Sequence, residues 1–180
     1  MDGVSTVHDS SKKRRFLSSV DVFQTDCGDW IQQVTSGTPP LGVDGYSCAA
    51  VGDSLYYFGG YCGHYGCYHN TLHKLNTSSL QWILLPSASQ KEAPMMKSGS
   101  GMVAFKDGEE DILYVVAGFG GPTPAYHRPE VVYDDDELLD DLFYCNEHHM
   151  FSLNSGELSE IVINVYAVYF HERGVMECLY

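Results

Sequence analysis

From Val20 onward, apolar and polar side chains alternate in short runs broken by glycine, proline and Asn/Asp/Ser clusters. A period of two in β-favouring residues predicts strands. Val20, Val22 and Gln24 alternate with Asp21, Phe23 and Thr25. Asp26-Cys27-Gly28-Asp29 turns the chain, and Trp30–Val34 returns. Ser36-Gly37-Thr38-Pro39-Pro40 stops that strand, because proline cannot donate into a ladder. A cleaner set follows: Tyr46–Val51, the turn Gly52-Asp53, then Ser54–Phe58 ending at Gly59-Gly60. After a Cys/His/Tyr/Gly loop to Tyr68 come Thr71–Leu75, the turn Asn76–Ser79, and Leu80–Leu85 before Pro86. Four strands joined this way make one antiparallel sheet.

The pattern then recurs. Ser100–Phe105, a turn at Asp107-Gly108, and Ile112–Val116 lead into Ala117-Gly118. An insertion intervenes. His149–Leu153, the turn Asn154-Ser155-Gly156 and Leu158–Ile163 supply the third and fourth strands. Leu55-Tyr56-Tyr57-Phe58-Gly59-Gly60-Tyr61 is echoed by Leu113-Tyr114-Val115-Val116-Ala117-Gly118-Phe119, 58 positions later. Trp30 and Trp82 each open a fourth strand; Phe23, Leu75 and Leu153 each precede Trp30, Trp82 and Glu160 by seven positions.

A period of roughly 50 residues with a glycine pair and a spaced aromatic pair resembles kelch-repeat proteins. The likeness covers residues 20 to 163 and rests on LYYFGG, NTLHKLN and LQW. It implies an all-β fold of kelch-type β-propeller blades, four-stranded antiparallel sheets forming a partial, open propeller. Residues 1–18 read as a polar disordered tail, 19–36 as a half blade and 45–86 as a blade. Residues 99–163 read as a blade with an acidic insertion at 120–145, and 164–180 as a tail or stray strand. Gly59, Gly60, Trp30, Trp82, Ala117 and Gly118 would be structural: the glycines admit positive φ and close approach of the next blade, and the aromatics fill the wedge between blades. Leu75 and Leu153 stand where the family usually has tyrosine, Ala117 replaces a glycine and Glu160 a tryptophan, so the second blade should be the looser. About two and a half blades fall short of the roughly four to eight that close a ring. Open edges leave room for self-association.

Charge narrows the partner. The 180 residues carry 24 acidic against 10 basic side chains, a formal net charge of -14. Such a chain repels nucleic-acid phosphates and anionic membranes, and Ile161–Phe170 is about half of what spans a bilayer. Lys12-Lys13-Arg14-Arg15 is followed by no apolar stretch, so no secretory signal is expected. The run suits a nuclear localisation signal or an ordinary solvated end. Six cysteines without an export signal point to reduced thiols in the cytoplasm, with the nucleus as the other choice.

Cys62, His64, Cys67 and His69 form a donor set suited to zinc, but all four crowd into eight residues. An incidental Cys/His-rich loop is the plainer reading, and no metal or other cofactor is expected. Asp134, Asp135 and Asp136 lead an acidic run that lacks the ligand spacing of a calcium loop and reads as solvated. Leu138, Leu139, Leu142 and Phe143 suggest a short amphipathic helix. His148-His149 beside Glu147 lacks a nucleophile at recognisable spacing and reads as a strand edge.

The resemblance implies a protein-binding module without enzymatic activity. Kelch rings present loops at one rim, where partners such as cytoskeletal elements, small-GTPase systems or ubiquitin-ligase substrates dock. The expected contacts are the loop Tyr61–His69 and the insertion Pro122–Asp141, with Tyr61, Tyr65, Tyr68 and Tyr126 as anchors. The acidic surface favours a basic or neutral partner whose association weakens with salt. The alternatives are a propeller oxidase or lyase, for which no copper ligands are recognisable, and a fragment without independent function.

Overall fold

Short apolar runs punctuated by turns fold as strands throughout a computed structural model of the chain. It describes residues 19–41, 44–63, 67–86, 93–121, 133–135, 142–154, 158–160, 169–170 and 176–177. Among these there is no helix. In chain order the strands are β1 (Ser19–Gln24), β2 (Asp29–Val34), β3 (Ser36–Gly37), β4 (Ser47–Val51), β5 (Ser54–Phe58), β6 (Leu72–Asn76) and β7 (Gln81–Leu84). They continue with β8 (Lys97–Ser98), β9 (Gly101–Asp107), β10 (Glu110–Val116), β11 (Phe119–Gly120), β12 (Tyr133–Asp135) and β13 (Phe143–Cys145). The last are β14 (His148–Ser152), β15 (Leu158–Glu160), β16 (Tyr169–Phe170) and β17 (Met176–Glu177).

Two of the sheets are blades. In the first, β4, β5, β6 and β7 pair antiparallel in sequence order. β3 adds a parallel edge to β7, with Ser36 opposite Gln81. The segment read as a stop thus latches the incoming chain onto the blade's outer edge before Pro39 ends pairing. The second blade runs β9-β10-β14-β15, again antiparallel. The C-terminal stretch read as a tail or stray strand holds a small hairpin, β16 against β17.

The strand registers correct one alignment. In the first blade Leu55 faces Leu75, which faces Trp82. In the second, Leu113 faces Phe151, which faces Leu158. Phe151 and Leu158, not Leu153 and Glu160, therefore stand at the register positions of Leu75 and Trp82. Both spacings are seven, and the sequence offered no way to choose between them across the insertion.

The blades share a core. Tyr56 from β5 meets Leu113 and Phe151, flanked by Ala49 and Val51 on one side and Met102 and Ala104 on the other. The innermost strands β4 and β9 lie side by side. Fully burying side chains of this size contributes about 1.5–3 kcal/mol each. Trp82 is 5% exposed, its ring edge-on to Tyr57 and its Nε1 donating to Thr35 Oγ1 at 3.0 Å. Trp30 departs from expectation. It pairs with Phe23, yet it is 69% exposed, because β1 and β2 form a two-stranded sheet.

Candidate partner-binding rim

The rim where β5 and β10 end, and β6 and β14 begin, is built on the glycine pair. Gly59 and Gly60 have φ of 73° and 96°, a region that side-chain-bearing residues enter at a cost. Gly60 N–H donates to Lys97 O at 2.9 Å, and Lys97 N–H donates to His69 O at 3.0 Å. The chain entering the second blade is thereby stitched into the rim of the first. A Cβ on Gly59 would lie 2.4 Å from Lys97 O. On the other side Gly118 makes room for the lysine stem: its Cβ would stand 2.9 Å from Lys97 Cδ. Ala117 takes the Gly59 role in the second blade, at φ 56° and 2% exposed.

Lys97, fully buried between these glycines, carries the seam's electrostatics. Its Nζ lies 3.1 Å from Glu147 Oε2, with neither side chain exposed. The same oxygen accepts Met95 N–H at 2.9 Å, and His149 Nε2 sits 3.6 Å away. Burial alone would raise the Glu147 carboxyl, but the His149 ring, the Lys97 charge and the Met95 amide together lower it to about 2. Burial raises the neighbouring Cys145 thiol. Glu147 and His149 are thus not a strand edge, as the sequence suggested, but part of an ionic tie between blades. His148, the other histidine, meets the Tyr114 hydroxyl and is lowered by burial.

Above this seam four aromatic rings form a ladder. Tyr61 and Tyr68 lie 5.1 Å apart, Tyr68 meets Phe119 edge-on at 5.9 Å, and Phe119 meets Tyr144 at 4.7 Å. All are distances at which rings attract beyond their burial. The ladder crosses from the loop of the first blade to that of the second. Tyr144 is exposed, the others half-buried. Phe119 and Tyr144 were missed in the sequence, although the repeat alignment placed Phe119 opposite Tyr61.

The described parts of the insertion are strand where a loop was expected. β12, β13, β11 and β8 form a second rim sheet, with Phe119 between Ser98 and Tyr144. Asp134 and Asp135 are residues of β12, paired with Tyr144 and Phe143. Phe143 is in a strand and not a helix, and Leu142 is buried. Leu138, Leu139, Asp136, Tyr126, Tyr65 and His64 lie outside the described residues. Cys62, Cys67 and His69 come together, their ligand atoms within 4.8 Å of one another. A small cavity of about 30 Å³ between the blades is lined by Phe58, Leu72, Leu113, Val115 and Phe151 among others.

The repeat geometry agrees with the comparisons. The family described as the KLHDC2/KLHL20/DRC7 Kelch-repeats domain matches residues 9–166. The chain belongs to the kelch-repeat family. Human Kelch domain-containing protein 3 is 38% identical over 63 residues, which is 35% of this chain and 16% of that protein. Bovine Kelch domain-containing protein 2 is 32% identical over 111 residues, 61% of this chain and 25% of that protein. Mouse Multiple epidermal growth factor-like domains protein 8 is 31% identical over 117 residues, 62% of this chain and 4% of that protein. The kelch chain therefore aligns with a quarter or less of these relatives' lengths. Kelch-repeat domains are generally protein-interaction modules.

Proposed function

We propose that this kelch chain is a non-enzymatic binding module that docks a protein partner on the ladder Tyr61–Tyr68–Phe119–Tyr144. The observation that carries the reading is the continuity of that ladder across two blades, half-exposed and held on a buried seam. Rigid aromatic anchors on a fixed scaffold lose little entropy on binding. With a net charge of -14 the preferred partner is basic or neutral at its contact face, and its association weakens as salt rises. The compartment proposed with it is the cytoplasm or the nucleus, where cysteines such as these stay reduced.

Affinity capture from cell extract, quantified for the wild type and for Tyr61→Ala and Tyr144→Ala, tests this reading. Each substitution should weaken capture of a common partner roughly tenfold or more, with the melting temperature little changed for exposed Tyr144. Capture that survives both, but is lost with Trp30→Ala, would move the binding face to the exposed β1–β2 hairpin.

A further inference from the structure

The first-blade rim loop holds chemistry that the fold itself does not require. Cys62 N–H donates to Cys67 O at 3.2 Å, His69 N–H donates to Gly60 O at 3.0 Å, and Tyr61 bridges Tyr68. The loop's two limbs are thus a short antiparallel ladder, along which side chains alternate between faces. Tyr61 and Tyr68 share one face. Cys62, Cys67 and His69 share the other. The spacing that looks too crowded along the sequence becomes a three-cornered site once the chain folds back on itself.

The distances suit a small tetrahedral ion. Zinc–sulfur and zinc–nitrogen bonds of about 2.3 and 2.0–2.1 Å put two bound sulfurs about 3.8 Å apart, and a sulfur and a nitrogen about 3.6 Å apart. Cys67 Sγ lies 3.8 Å from His69 Nε2, and all three ligand atoms fall within 4.8 Å of one another. The second blade supplies an internal control. It forms the same ladder between Phe119-Gly120 and Phe143–Cys145, where Gly120 and Phe143 stand in place of Cys62 and Cys67. The hairpin forms without the two thiols, so backbone geometry does not account for them.

We propose that Cys62, Cys67 and His69 bind zinc(II). The ion is held by two thiolates and a neutral imidazole, with its fourth position left to water or a further ligand. Binding releases one proton from each thiol, and the two thiolate charges balance those of the ion. No oxidation occurs. Bound zinc pins the back of the loop whose front carries Tyr61 and Tyr68. The site stands on its own geometry, whether or not the rim binds a protein.

The test is zinc titration of the 180-residue chain, reduced and stripped of metal, against a chromogenic chelator, with cobalt(II) as a spectroscopic substitute. One equivalent should bind, and cobalt should give a thiolate charge-transfer band in the near ultraviolet. Cys62→Ser and Cys67→Ser should each weaken binding at least about 100-fold, more than follows the loss of a mere supporting partner. Cys48→Ser and Cys27→Ser, at exposed cysteines elsewhere, should leave it unchanged. The cobalt spectrum of the wild type settles the matter even if a variant folds poorly. Absence of the charge-transfer band, or equal zinc affinity in Cys67→Ser, would overturn the site.

Discussion

Glu147→Gln should destabilise the protein by about 3–5 kcal/mol, because it strands the Lys97 ammonium in a fully buried seam without its counter-charge. Lys97→Met should cost a similar amount by stranding the carboxylate. The double variant Lys97→Met/Glu147→Gln should be clearly milder than the sum of the two single changes, since neither charge is then left buried without its partner. Denaturant unfolding of the four proteins closes the cycle. Additive losses would mean that the two residues act separately and that the tie between blades is not ionic.

The same pair sets an acid limit. Glu147 titrates near its ordinary 4.5 when unfolded and about 2 when folded. Its contribution is therefore complete above about pH 4.5 and fades as pH falls towards 2. Wild-type stability should drop steeply over that window, and Glu147→Gln, already destabilised, should lose less there.

The second large effect belongs to Gly59. Gly59→Ala sets a Cβ 2.4 Å from the Lys97 carbonyl, a backbone atom that cannot step aside without parting the blades. It also places a side chain at φ 73°. The left-handed conformation alone costs about 1–2 kcal/mol, and forced overpacking typically adds about 1–3 kcal/mol. Gly52→Ala separates the two terms. Gly52 has φ 57° in the turn between β4 and β5, with nothing within 4 Å of an added Cβ. It should show the backbone cost alone. Equal losses at both sites, read by thermal or urea unfolding, would remove the close approach from the explanation of the kelch glycine pair.

What was readable in the sequence was whatever depends on neighbours along the chain. Period-two alternation and turn residues placed β4 to β7, β9 and β10 within a residue or two, and LYYFGG marked the rim where the blades meet. What depends on distant partners was hidden. β8 and β11 are two-residue strands that exist because Lys97 and Ser98 find Gly120 and Phe119. Nothing local distinguishes them from loop. Lys97 and Glu147 are separated by 50 positions, and a lysine after Met95-Met96 gave only the faint signal of one charge among apolar residues. The Leu153/Glu160 misalignment arose because the insertion breaks the offset by which strand two predicts strand three. The exposure of Trp30 follows from β1 and β2 forming a sheet of their own among the described residues, which no pattern within β1 and β2 records. Of the rim, Tyr61 and Tyr68 were recognisable as loop aromatics, while the ladder that joins them to Phe119 and Tyr144 required the fold.

The shared core and the rim built on it require the two blades to behave as one cooperative body joined at the Gly60–Lys97 seam. Amide hydrogen exchange measures this directly. The N–H groups of Gly60 and Lys97, which bond across the seam, should exchange only through the same global opening that exposes Leu113 in β10. Fast exchange at Gly60 and Lys97, while the amides inside each sheet stay protected, would show two blades resting side by side and would contradict the shared seam on which the rim depends.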